Sequence, residues 1–243
     1  MRPDNASGPS LREVWKSLRG TAKIQFLWDY FKLPLFLICV LIYVICYLVF
    51  RSLHAETPQL YLAYVNLEAG ETLNRHLTED FIAALHPNER HSVVKVLDHL
   101  ALTENLQQVD GSYVYASQMK ILSAIESQIL DIVLMNQEAF DAFSQNGFLC
   151  DLDTFSETYD LAELKPYFVE NIEILSDNAT DVLLDPSVDY QSETVSYPMA
   201  INISSFPYIQ EAGFPDDVFL GVIANTTRGR NAASFITYLA DDT

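Results

Sequence analysis

The chain is poor in the residues on which cross-linked and catalytic proteins depend. It has three cysteines in 243 residues, and two of them, Cys39 and Cys46, lie inside one apolar stretch. Cys150 is therefore alone in the remainder, and no disulfide can form there. Eight glycines are few for phosphate-cradling loops, and no Walker, GxGxxG or GxSxG pattern occurs. The five histidines (His54, His76, His86, His91, His99) show neither HxxxH nor HExxH spacing, so no metal ligand set is expected. Basic residues are scarce as well: 14 Lys and Arg against 33 Asp and Glu, a net charge of −19. That balance excludes nucleic acid as a partner. No catalytic set and no cofactor is expected, and the chain reads as a protein that is not an enzyme.

What the sequence does contain is a long apolar run, Leu33–Phe50, with no charge and no glycine. A helix of that length reaches roughly 27 Å, close to the hydrocarbon thickness of a bilayer. The run predicts a single transmembrane helix, with Pro34 tolerated in its first turn. Residues 1–32 carry six basic and three acidic residues, a net of +3. Residues 51–243 carry the other 8 basic and 30 acidic ones, a net of −22, and the two sum to −19. The positive-inside rule then places the N-terminus in the cytoplasm and the C-terminal part outside the cell membrane. The run is longer than a signal-peptide core and ends in Phe50-Arg51 without a small-x-small cleavage site, so it is expected to be retained.

Four segments follow: a cytoplasmic arm (1–32), the membrane helix (33–50), a linker (51–58) and an extracellular α/β domain (59–243). Polar residues 1–14 read as a tail, and 14–30 as a juxtamembrane helix or an extension of the anchor. In the outer domain, 59–66 (QLYLAYVN) predicts a strand. Thr78 reads as the N-cap of a helix ended by Pro87-Asn88, and 93–102 as a second strand. After a loop at 110–112, Met119, Leu122, Ile125 and Ile129 keep helical spacing in a helix over 115–128. A short apolar run at 130–134, read as a strand covered on both faces, precedes a helix over 137–145 that Asn146-Gly147 should stop. This alternation predicts α/β architecture with right-handed crossovers. Residues 149–193 are acidic with only short apolar pieces, and read as an insert or a reduced lobe. A strand at 194–203, a helical turn at 206–213, a strand at 218–224 and a helix over 231–239 complete the chain.

Between Tyr115 and Asp153, the residues Gln118, Lys120, Leu122, Ile125, Asp131, Phe140, Gly147, Leu149, Asp151 and Leu152 form a pattern. Ala233, Phe235 and Leu239 continue it in the closing helix. The pattern resembles the extracellular solute-binding proteins of ABC transporters, which share the type II periplasmic binding fold. The resemblance implies a bacterial binding protein that holds a small solute and serves as a receptor or accessory subunit of an ABC transporter or another membrane complex. Two departures accompany it: 149–193 is short for a second lobe, and a membrane helix stands where Gram-positive members usually carry a lipid anchor. An alternative follows from these, a single-pass scaffold that binds another protein through a degenerate binding-protein fold and takes no small-molecule ligand.

In open α/β sheets ligands lie beyond the carboxyl ends of the strands. The expected lining is therefore Asn66, Asn136, Gln137, Glu138, Tyr197 and Asn202, with Tyr115 and Ser117 on the loop entering the second crossover helix. Tyrosines offer an apolar face and a hydroxyl tip to a small polar or sugar-like solute.

Overall fold

A computed structural model describes residues 16, 20–53, 56–85, 91–102, 111–185 and 187–241. The tail at 1–14, Pro87-Asn88, Asp110, His54 and His86 lie outside the described residues. The chain forms two compact units, Met1–Ala55 and Glu56–Thr243.

Among the described residues of the first unit, Thr21–Leu53 form the helix α1. Its backbone is already helical well before Leu33, so Pro34 lies inside the helix rather than in its first turn. Residues from Thr21 to Lys32 thus belong to the same helix as the apolar run. Side chains are described without interruption over residues 36–51, and all are exposed. On the described residues alone, no helix is long and apolar enough to cross a membrane.

The second unit is a mixed α/β domain around a six-stranded sheet. Its elements are β1 (Thr57–Val65), α2 (Glu71–Arg75), a π-helical turn (His76–Asp80), α3 (Phe81–Leu85), β2 (Ser92–Leu100), α4 (Gly111–Glu126), β3 (Ile132–Met135), α5 (Gln137–Gln145), α6 (Leu152–Tyr159), a 3-10 turn (Ala162–Tyr167), β4 (Phe168–Asp177), α7 (Ala179–Leu184), β5 (Ser192–Asn202), α8 (Pro207–Ala212), β6 (Phe219–Val222) and α9 (Gly229–Ala240). The strand order is β2-β1-β3-β6-β5-β4. β1 pairs in parallel with β2 and β3, whereas β6 runs antiparallel to both β3 and β5, and β4 antiparallel to β5.

Alternation along the strands explains the two faces. Leu60, Leu62, Tyr64, Ile132, Leu134 and Leu220 face one layer, built by α2, α3, α6, α8 and α9. Ala63, Val65, Val133, Met135 and Phe219 face the other, built by α4 and α5. Both faces are covered, which is why β3 is apolar throughout.

Three local expectations change. The helix predicted to begin at Thr78 begins two turns earlier, because Leu73, Leu77 and Phe81 recur every four residues and bury together. Thr78 does not cap; its hydroxyl donates to the Asn74 carbonyl at 2.7 Å. On α4 the buried face is Val114, Ser117, Ile121, Ala124 and Ile125, while Met119 is exposed, as is Ile129 beyond the end of the helix. Two stripes of helical spacing compete there, and the one with small residues lets the helix approach the sheet. Finally, 149–193 is neither a separate insert nor a lobe of its own. It supplies α6, β4 and α7, and β4 extends the same sheet as its edge strand.

Candidate functional site

The register aligns Val65, Met135, Phe219 and Asn202 in one row across four strands. Asn66 and Asn136 follow immediately, where β1 and β3 diverge into their crossovers. The structure brings this predicted pair together: the Asn66 amide donates to Asn136 Oδ1 at 3.1 Å. Asn66 has φ 55, a left-handed conformation that asparagine tolerates better than most residues. Its Oδ1 accepts from the Leu102 backbone at 2.8 Å, and Asn136 Oδ1 caps α5 by accepting from Ala139 N at 3.1 Å. Asn202 lies at the same end, and its Oδ1 accepts from Ser204 N at 3.0 Å. These amides are thus engaged in shaping the turns that leave the sheet.

The other predicted residues divide. Gln137 and Glu138 are exposed in the first turn of α5, with Gln137 bonded to Asp141 at 2.8 Å. Tyr115 is exposed, whereas Ser117 is buried against the sheet. Tyr197 is not at this end at all. It lies on the part of β5 that runs past β6, opposite Asn171, and its hydroxyl donates to Glu173. The sequence places Tyr197 on the returning strand but does not reveal how far that strand overshoots its neighbour. Next to the row, a cavity of about 300 Å³ opens beside Tyr64, Leu67, Glu68, Asn74 and Asp98. Burial, and then the charge of Asp98, push the Tyr64 hydroxyl's ionisation well up, and it donates to Asn74 Oδ1 at 3.1 Å.

A larger cavity, about 730 Å³, lies within the same helical layer, walled by Phe81, Leu85, Tyr159, Tyr208 and Tyr238. Arg230, Asp160 and Asp241 stand exposed at its rim. Its geometry comes from ring packing. His76 stacks on Tyr208 at 4.5 Å between centroids, Tyr208 lies nearly parallel to Tyr238 at 6.2 Å, and Phe81 contacts Tyr238 at 5.4 Å. The Tyr238 hydroxyl donates to the His76 carbonyl at 3.3 Å. Asp160, with φ 58, ends α6 so that Tyr159 faces α9. Gly229 at the start of α9 leaves the room that the Tyr159 hydroxyl fills, since a Cβ there would collide with it. A cavity of this size with aromatic walls and charged groups at the rim suits a small organic solute. Sequence reasoning missed it, because its tyrosines come from three helices and share no local pattern.

Cys150 is partly buried, and burial, followed by the neighbouring Asp151 charge, pushes its thiol up to about 12. At neutral pH it is a protonated thiol, not a nucleophile. Among the described residues, no group of three or more His, Cys, Asp or Glu could hold a metal ion.

No family model matches the sequence, and no curated protein matches it. Among solved structures, the chain is similar to a de novo designed cysteine esterase at 17% identity and a TM-score of 0.27, over 56% of this chain and 33% of that one. A likeness that weak carries no argument about fold or activity, and the chain spans about a third of that protein's length.

Proposed function

We propose that the chain is a membrane-anchored, extracellular solute-binding protein without catalytic activity, serving as a receptor or accessory subunit beside an ABC transporter or another envelope complex. The observation that carries this reading is the tyrosine-walled cavity of about 730 Å³ between α3, α6, α8 and α9. Its size falls in the range of small-molecule sites, and tyrosines present both a flat apolar face and a hydroxyl. The predicted strand-end residues act in this reading as scaffold, since Asn66, Asn136 and Asn202 are engaged in local hydrogen bonds. The anchor is the Leu33–Phe50 run within α1, and the charge difference across it puts the acidic domain outside. The domain corresponds to one lobe of the type II periplasmic binding fold, with 149–193 completing the sheet in place of a second lobe.

The test is a thermal-shift screen of the full chain in neutral detergent against sugars, short peptides and polyamines. One class should raise the melting temperature, and Tyr208→Ala should abolish the shift. If no class stabilises the protein, the solute-binding reading fails.

A second reading, a single-pass scaffold that binds another protein, is favoured by one feature outside the cavity. Beyond β6, β4 and β5 continue as a two-stranded ribbon whose tip exposes large apolar side chains.

A further inference from the structure

Only Ala200–Asn202 of β5 pair with β6, yet β5 pairs with β4 along nearly its whole length, out to Asp177 and Ser192. The ribbon so formed ends in α7, a helix with no buried residue. Leu183 and Leu184 there are 82% and 79% exposed. Leu175, near the end of β4, and Tyr190, just before β5, are also more than half exposed. Large apolar side chains grouped this way on a protruding element mark an interaction surface.

The tip is built to present them. Asn178 receives the Gln191 backbone at 2.7 Å on its Oδ1 and donates to the Asp189 carbonyl at 3.0 Å. The Tyr190 hydroxyl donates to Asp177 at 3.2 Å, and Asp185 accepts from both the backbone and the hydroxyl of Ser187. These bonds tie the two sides of the tip together, and the leucines remain exposed.

Charge selects the occupant. An acid recurs at every fourth position from Glu173 to Glu193, and no Lys, Arg or His occurs between Lys165 and Arg228. The Ser187 hydrogen bonds hold the Asp185 carboxyl below its ordinary range, so it stays charged. An anionic membrane surface is repelled by these carboxylates, and so is the same tip of a second copy.

We infer that the ribbon tip, through Leu183 and Leu184 within their acidic surround, docks a partner protein that presents an apolar stripe flanked by Lys or Arg. The inference rests on the protein-binding reading and is independent of the solute cavity.

The test uses the full chain in neutral detergent, with a synthetic amphipathic Lys/Leu peptide as probe and a matched Glu/Leu peptide as control, after subtraction of binding to empty micelles. Leu183→Ser/Leu184→Ser and Asp181→Asn/Asp185→Asn/Asp189→Asn should each weaken Lys/Leu binding by at least about tenfold. Glu163→Gln/Asp216→Asn/Asp217→Asn removes the same charge elsewhere and should change it by no more than roughly twofold. Because the altered side chains are exposed, all variants should melt with the parent protein, and Tyr208→Ala should bind the peptide as the parent does. Equal binding by parent and tip variants would overturn the inference. So would loss, in the leucine variant, of binding to phosphatidylcholine vesicles or of self-association, with peptide binding unchanged.

Discussion

The fully buried carboxylate of Asp131 pairs with the guanidinium of Arg228 at 3.1 Å, across 97 residues of chain. The same carboxylate accepts from the Tyr61 backbone at 2.8 Å and from the Thr226 hydroxyl at 2.5 Å, while the guanidinium lies 4.6 Å from the centre of the Tyr61 ring. One acid thereby ties β1, β3 and the turn entering α9. Asp131→Ala leaves a buried backbone N–H and a half-buried cation without partners, and should cost about 3 kcal/mol or more. Urea unfolding followed by circular dichroism checks this. Replacing the exposed Asp153, which pairs with Lys165, should cost no more than about 1 kcal/mol.

The Asn66–Asn136 contact predicts coupling. Asn136→Ala removes a helix cap worth about 1 kcal/mol as well as the partner of Asn66. Asn66→Ala also places a Cβ-bearing residue without a polar side chain at φ 55. The double variant should destabilise by less than the sum of the single ones, by about 0.5 kcal/mol or more, in a double-mutant cycle.

Gly229→Val places a side chain where the Tyr159 hydroxyl sits. Tyr159 must then turn into the large cavity. The expected result is loss of ligand-induced thermal stabilisation, with the unliganded melting temperature falling by only a few degrees.

Cys150 has a direct pH signature. Its thiol is raised from 9.0 to about 12 in the folded protein. A group whose folded pKa lies above its unfolded value contributes stability that is fully present below pH 9 and lost as pH rises toward 12. Stability should therefore decline through that window, and less steeply in Cys150→Ser. In the native state Cys150 should resist iodoacetamide at pH 8 and react once urea unfolds the domain.

Membrane anchoring is tested by carbonate extraction. The chain should stay in the membrane pellet, and Val44→Arg/Ile45→Arg should release it, since each arginine at mid-span costs ~2.5–3.5 kcal/mol.

Much of the secondary structure was legible because its signals are local. Asn136 caps α5 and Gly147, with φ 66, ends it, so that helix falls where the sequence places it. β1, β3 and β6 were visible as short apolar runs between turn residues. The start of α2 was not, because it depends on Leu73, Leu77 and Phe81 burying together, nor was the buried face of α4, which depends on which of two helical stripes meets the sheet. Of the predicted residues, Asn66 and Asn136 meet and Asn202 lies at the same end of the sheet, whereas Tyr197 does not, because its strand overshoots β6.

The sequence alone determined what composition and local order can determine. These are an uncharged apolar run over Leu33–Phe50 with basic residues before it, an acidic remainder, a sheet-and-helix domain, and a single cysteine outside the run. Tertiary structure decided the rest. The sheet order, the antiparallel entry of β6, the Asp131–Arg228 tie, the tyrosine-walled cavity and the protruding ribbon all arise from contacts between residues distant in the chain. Such contacts depend on which surfaces pack once the helices and strands exist, and no periodicity within a single segment records that choice.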